Sequence, residues 1–334
     1  WLKWLSSSGG TSSNFPHFQM AAPTLSFESF RRARATVEDF ARSYFPLHRV
    51  PVDAFLNFMD VLYFVEASLY EADERNEASA EARPDGSIRS RESLSAQLGS
   101  TCRQTLEECA HREPAWMAMV DLLKARGLLD SNVRRLLEDG LEYWALERRL
   151  CAAPLEASVA EAQRALSLKS FDYRVLNRLM YQLRGAPYDE PMIACMHEAE
   201  LLVEIEDDLK DYGKDVARNS FNIYRVYARE YRERAAEEMA GFIAQIEERY
   251  LKLRAAAMDE GLLAAHIARN EEQSSAGPAM APSTGRWEIP VPILDEEPLR
   301  RLSAGVARVP LLFVPPGSTW DVGSEEVPSA RCNR

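Results

Sequence analysis

Nothing in this 334-residue chain offers a basic surface. Lysine and arginine number 40 against 52 aspartates and glutamates, a formal net charge of −12, so no dense cationic patch is available to neutralise a nucleic-acid backbone. Nucleic acid is not an expected partner. The five cysteines, Cys102, Cys109, Cys151, Cys195 and Cys332, show no metal-ligand spacing, and their odd number does not suggest a disulfide framework. A reducing compartment suits them, and the cytoplasm is the expected location. The five histidines are scattered with none at i, i+4, which removes the two-histidine zinc signature. No apolar run reaches the roughly eighteen residues that a membrane-spanning helix needs. A soluble chain without a transmembrane segment is expected. Lys3 is the one basic residue before Thr24, little support for an Arg-rich organelle address.

Alternating runs of β-branched residues are also scarce, whereas Ala, Leu, Glu and Arg dominate the middle and Gly and Pro gather towards the ends. That pattern predicts an all-α fold. We expect a single α-helical bundle domain over residues 24–303, a disordered N-terminal tail over 1–23 and an irregular C-terminal tail over 304–334. Helical patterns run over Phe27–Phe45, Val52–Arg75, Leu94–His111, Ala115–Arg126, Asn132–Cys151, Leu155–Leu168, Tyr173–Leu183 and Met192–Val216. A long charged helix is expected from Phe221 to about Arg269. Pro46 ends the first of these. The second is apolar nearly all round its core, Phe55 to Tyr70, which marks it as central.

The chemistry is expected where carboxylates stack. In Asp207-Asp208-Leu-Lys-Asp211-Tyr-Gly-Lys214-Asp215, three aspartates four residues apart share one helical face. Like charges at that spacing cost about 0.2–0.5 kcal/mol per pair on an exposed helix, unless something cationic sits among them. Acidic runs also arise as solvated faces. Here Leu201, Val203 and the apolar Met192–Met196 segment point to a buried helix, on which unpartnered carboxylates are expensive. Oxygen-only ligands converging on one point suit Mg²⁺, with Mn²⁺ as the second choice. A second cluster, Asp73-Glu74-Arg-Asn-Glu77, closes the central helix 134 residues earlier, with Asp73 and Glu77 on the face of Glu66 and Tyr70.

The run from Asp207 to Asp215 resembles the second metal-binding motif of class I terpene synthases, and Asp73, Glu74 and Glu77 resemble a variant of that family's aspartate-rich first motif. Asp211 stands where the family usually has Ser or Thr, so Asp207-Asp208-x-x-Asp211 is also similar to the second aspartate-rich motif of chain-elongating prenyl diphosphate synthases. The resemblance implies the class I isoprenoid-synthase fold. It implies an allylic prenyl diphosphate as substrate, with Mg²⁺ held by Asp73, Glu74, Glu77, Asp207, Asp211 and Asp215. It further implies that Lys214 contacts the diphosphate, with Arg174, Arg178, Arg225 or Arg286 completing the clamp. Arg286-Trp287 follows an expected flexible loop, Asn270–Gly285, at the place where the family commonly has an Arg-Tyr pair.

Three functions stay open on this basis. The first is a terpene synthase, a lyase that ionises the substrate and releases a terpene; the layout is also compatible with a homodimer. The second is a prenyltransferase that joins the cation to another isoprenoid or an acceptor. The third is a non-catalytic helical scaffold with a degraded site.

Overall fold

A computed structural model describes residues 25–80, 106, 114–152, 157–256 and 287–305. All regular structure among these residues is helical, as the composition predicts. The expected tail over 1–23, the helix expected over Leu94–His111 apart from Leu106, and the loop Asn270–Gly285 lie outside the described residues.

Helix α1, Phe27–Tyr44, starts where the Ser26 side chain accepts the backbone N–H of Ser29. It ends one residue short of the expected boundary. Its buried stripe of Ser29, Ala33, Val37, Phe40, Ala41 and Tyr44 follows the helical period and packs on α2, Met59–Ala80. The expected single helix from Val52 is instead a 3-10 turn, Val52–Asn57, followed by α2 after Phe58.

Helix α2 is central. It touches α1, α3 (Pro114–Ala125), α4 (Ser131–Ala152) and α6 (Phe171–Leu183), so Val61, Leu62, Val65, Glu66, Ala67 and Leu69 are all buried around its circumference. Helix α5, Val159–Leu168, opens on a capping box in which Ser158 and Glu161 satisfy each other's backbone N–H. That cap explains why it starts later than the expected Leu155.

The longest described helix is α7, Glu190–Arg218, capped by Asp189 and ended by Asn219 in the left-handed region at φ 60°. The long helix expected after Phe221 is broken. α8 (Ile223–Tyr231) stops at Arg232, φ 55°, and a 3-10 turn leads into α9, Ala235–Ala256. No Gly or Pro marks the break. Packing accounts for it: the turn lets α9 lie along α7 and α8, with Tyr227 meeting both Tyr231 and Phe242.

An extended segment from Trp287 then runs over α7 and α8. Tyr224 Oη donates to the Pro290 carbonyl at 2.7 Å, and the Ile293 N–H donates to Tyr212 Oη at 2.8 Å. It enters α10, Glu297–Gly305, which packs on α7 and carries helix past the expected domain end at residue 303. No helix among the described residues is long and apolar enough to cross a membrane.

Candidate active-site cavity

Helical spacing builds the site. On α2, Glu66, Leu69, Tyr70 and Asp73 fall at i, i+3, i+4 and i+7 and line one side of a cavity of about 410 Å³. On α7, Glu204, Asp207, Asp208, Asp211 and Asp215 line another side by the same rule. Tyr143, Trp144 and Glu147 reach it from α4, Lys169 and Ser170 from the α5–α6 turn, Phe171 and Asp172 from the start of α6, Arg32 from α1, and Phe221 from the segment after α7. The two acidic clusters read from the sequence therefore meet across one space, through Asp73 on one side and Asp207, Asp211 and Asp215 on the other. Nine carboxyl groups face two cations among its described lining residues, which makes charge compensation the central problem of the site.

Lys169 solves part of it. Its Nζ lies 2.6 Å from Glu204 Oε2 and 3.0 Å from Asp208 Oδ1. Burial works against the ammonium, yet Asp208 and Glu204 together hold its pKa well above the usual lysine value. Although burial alone would raise Glu204, Lys169 draws its pKa below the ordinary carboxylate value. Asp208 is only 3% exposed, and burial pushes its carboxyl up to about 6 despite Lys169. Its other oxygen, Oδ2, accepts the Ile223 N–H at 2.7 Å, so this aspartate also anchors the start of α8. Asn222 caps the same helix through Tyr224 N and donates to Asp215 Oδ2 at 2.9 Å, which orients that carboxylate.

Arg32 is the second cation. It lies 3.5 Å from both Asp73 Oδ2 and Glu74 Oε1, with its guanidinium 4.3 Å from the Tyr70 ring centroid. Asp73 also accepts Trp144 Nε1 at 3.0 Å, while burial raises its pKa. Among the described residues no cation is bonded to Glu66 or Asp172: burial, with Asp172 beside it, raises Glu66 well above its ordinary value, and burial pushes Asp172 up to about 6.

The expected phosphate-binding residues are distributed differently. Lys214 is exposed and pairs with Asp211 Oδ1 at 2.7 Å, outside the cavity lining. Arg174 is held by Glu200 at 3.0 Å and by the Leu168 carbonyl at 2.8 Å. Arg178 pairs with Asp130 at 2.7 Å and lies over the Tyr188 ring. Arg225 is buried and clamps Glu296 at 2.7 Å, fastening the C-terminal segment to α8. None of these three arginines lines the cavity, because each neutralises a carboxylate elsewhere. Glu74 likewise sits beside Arg32 and off the lining. The Glu77 side chain and Arg286 lie outside the described residues.

Arg32 and Lys169 were not singled out from the sequence, since each is one basic residue among many. Glu66 was more legible, two turns before Asp73 on the same face. Of the aromatic residues on α3 and α4, Tyr143 and Trp144 reach the cavity, while Trp116 is fully buried behind Trp144.

The residues fit a hard cation by donor chemistry. All acidic donors are oxygens, Asp207 has no hydrogen-bond partner among the described residues, and the buried Glu66 Oε2 is likewise unpartnered. No three His, Cys, Asp or Glu side chains among the described residues stand close enough together to hold a metal as they are. No protein-family model, curated protein or solved structure matches this chain.

Proposed function

We propose that this protein is a Mg²⁺-dependent enzyme of the class I isoprenoid-synthase type, which ionises an allylic prenyl diphosphate and converts the cation to a terpene product. The observation that carries the reading is the convergence of two acidic clusters, distant in sequence, on one cavity that also holds two cations and several aromatic faces. A scaffold has no use for that concentration of buried charge, which costs desolvation without compensation from packing.

Asp73, Glu77, Asp207, Asp211 and Asp215 would hold the Mg²⁺, with Mn²⁺ as substitute. When bound, the metal supplies positive charge that makes diphosphate a competent leaving group. The chain's own contribution is to position and shield. Arg32 and Lys169 face the same cavity and offer charge-assisted hydrogen bonds to phosphate oxygens, the role first assigned to Lys214 and the other arginines. Trp144, Phe171 and Phe221 present aromatic surface to the cation, an attraction of about 2 kcal/mol where water is excluded. Exclusion of water also prevents quenching to an alcohol. The buried free thiols Cys151 and Cys195 accord with a reducing cytoplasm.

The test is incubation with ten-, fifteen- and twenty-carbon allylic diphosphates, with and without Mg²⁺, followed by diphosphate assay and mass spectrometry of extracted products. The Asp207→Ala/Asp211→Ala double variant serves as the blank. Metal-dependent diphosphate release above that blank is expected, with a hydrocarbon or cyclic product. A coupled product with a second isoprenoid would make the protein a prenyltransferase. Release that never exceeds the blank would leave the helical scaffold as the answer.

A further inference from the structure

Asn222 is 1% exposed, and both polar atoms of its side chain are bonded. Its Oδ1 accepts the Tyr224 N–H at 3.0 Å, which caps α8. Its Nδ2 donates to Asp215 Oδ2 at 2.9 Å and to the main-chain carbonyl of Asp208. The neighbouring N–H, that of Ile223, goes to Asp208 Oδ2 at 2.7 Å. One buried amide thus joins the backbone of α7, the start of α8 and a carboxylate of the cavity. A cap needs only the acceptor, which Ser, Thr or Asp would supply equally well. The donor side of the amide serves Asp215.

Of the three aspartates four residues apart on α7, Asp215 is the one held by a buried donor. Asp211 pairs with the exposed Lys214 at 2.7 Å, and Asp207 has no hydrogen-bond partner among the described residues. The donor is also uncharged. Lys169 and Arg32 offset the charge of the carboxylates they bind, whereas an amide fixes a carboxylate's direction and leaves its negative charge in place for a cation. With Oδ2 turned to Asn222, Asp215 keeps Oδ1 without a hydrogen bond among the described residues, on the cavity wall.

We infer that Asn222 is a positioning residue for the second acidic cluster: it holds Asp215 so that one oxygen, Oδ1, meets the cation, and so favours Mg²⁺ over Ca²⁺. This rests on the Mg²⁺ dependence proposed above. Mg²⁺ demands near-ideal octahedral geometry, which the narrow bite of a two-oxygen carboxylate spoils, while Ca²⁺ accepts carboxylates through one oxygen or both. Asp215 can turn both oxygens to a cation only by giving up a charge-assisted hydrogen bond to an amide that two backbone bonds hold still.

The test uses the full chain, methylenediphosphonate as an inert diphosphate analogue, and bound Mn²⁺ displaced by Mg²⁺ or by Ca²⁺, with free Mn²⁺ read by electron paramagnetic resonance. No turnover is required. Asn222→Ser keeps a good cap and removes the amide; the ratio of Mg²⁺ to Ca²⁺ affinity should fall about tenfold or more, the scale of a lost outer-shell bond. Tyr224→Phe is the control. It deletes the bond from the same helix to the Pro290 carbonyl, so it should lower the melting temperature and leave the ratio unchanged. Where circular dichroism shows Asn222→Ser unfolded, Asn222→Asp at pH 8 replaces it, a near-isosteric cap that only accepts hydrogen bonds, and the same fall is expected. An unchanged ratio in the folded Asn222 variant overturns the inference and leaves the proposed function standing. So does an equal fall in Tyr224→Phe, which would mean that any loosening of α8 has the same effect. A wild type that retains no Mn²⁺ overturns both.

Discussion

Trp144 Nε1 donates a hydrogen bond to Asp73 Oδ1 at 3.0 Å, tying α4 to the first acidic cluster on α2. The contact fixes a cavity carboxylate and an aromatic face in one geometry. The Trp144 ring is itself set by edge contacts to Trp116 and Phe171, each at a centroid distance of 5.4 Å. Behind Phe171, Gly140 on α4 leaves the room that the ring needs.

That room is testable. A Cβ on Gly140 would stand 2.3 Å from the Phe171 ring, so Gly140→Ala must displace the ring and with it Trp144. The variant should lose about 1–3 kcal/mol of stability, the usual cost of overpacking, despite alanine's better helix propensity. Urea unfolding read by tryptophan fluorescence measures the loss, and a shifted native emission spectrum would report the moved indole.

Asp211 separates function from stability. Its side chain is 51% exposed and its bonded partner is Lys214, a surface pair of the kind worth about 0–1 kcal/mol. Asp211→Asn should therefore melt close to wild type while Mg²⁺-dependent diphosphate release falls at least about 100-fold, as expected when a charge-stabilising group is lost. Turnover equal to wild type at limiting Mg²⁺ would count against Asp211 as a ligand.

Arg32 and Arg178 make a matched pair of probes. Arg32 lines the cavity, whereas Arg178 is held by Asp130 away from it. Arg32→Met should weaken binding of inorganic diphosphate with Mg²⁺ by about tenfold or more, as the loss of a charge-assisted hydrogen bond predicts. Arg178→Met should leave that affinity unchanged and lower stability instead. Titration calorimetry and thermal melting of the two variants distinguish these outcomes.

Burial raises the folded Asp172 pKa to about 6 from the ordinary 3.8, so between those values the folded protein holds a proton that the unfolded chain has released. The cost of ionising this buried carboxyl therefore develops as pH rises through that window and is complete above it. Asp172→Asn removes the group, and the variant should gain stability relative to wild type as pH rises from about 4.5 to 7. Urea midpoints at both ends of the range check the sign. A relative loss over that interval would show that Asp172 is better stabilised as an anion than its burial implies.

The sequence by itself determined the helical class, the centrality of α2 and the acidic faces of α2 and α7. These are properties of single helices: a period of 3.6 residues fixes which side chains share a face, whatever the helix packs against. Val61 to Leu69 had to be enclosed because they are apolar nearly all round, and Asp207, Asp211 and Asp215 had to align because they are four apart. Tertiary structure decided what those faces meet. No local signal distinguishes Arg32 and Lys169 from the arginines that pair with Glu200, Asp130 and Glu296, because all are cations on helical or turn segments and only packing brings a given carboxylate within reach. The break at Arg232 and the helix α10 are of the same kind. Arg232 takes a positive φ without being glycine, and α10 packs on α7 and continues to Gly305, past the expected domain end at residue 303. In both, contacts distant in sequence outweigh a weak local preference of a few tenths of a kilocalorie per residue, roughly the spread of helix propensities among ordinary residues.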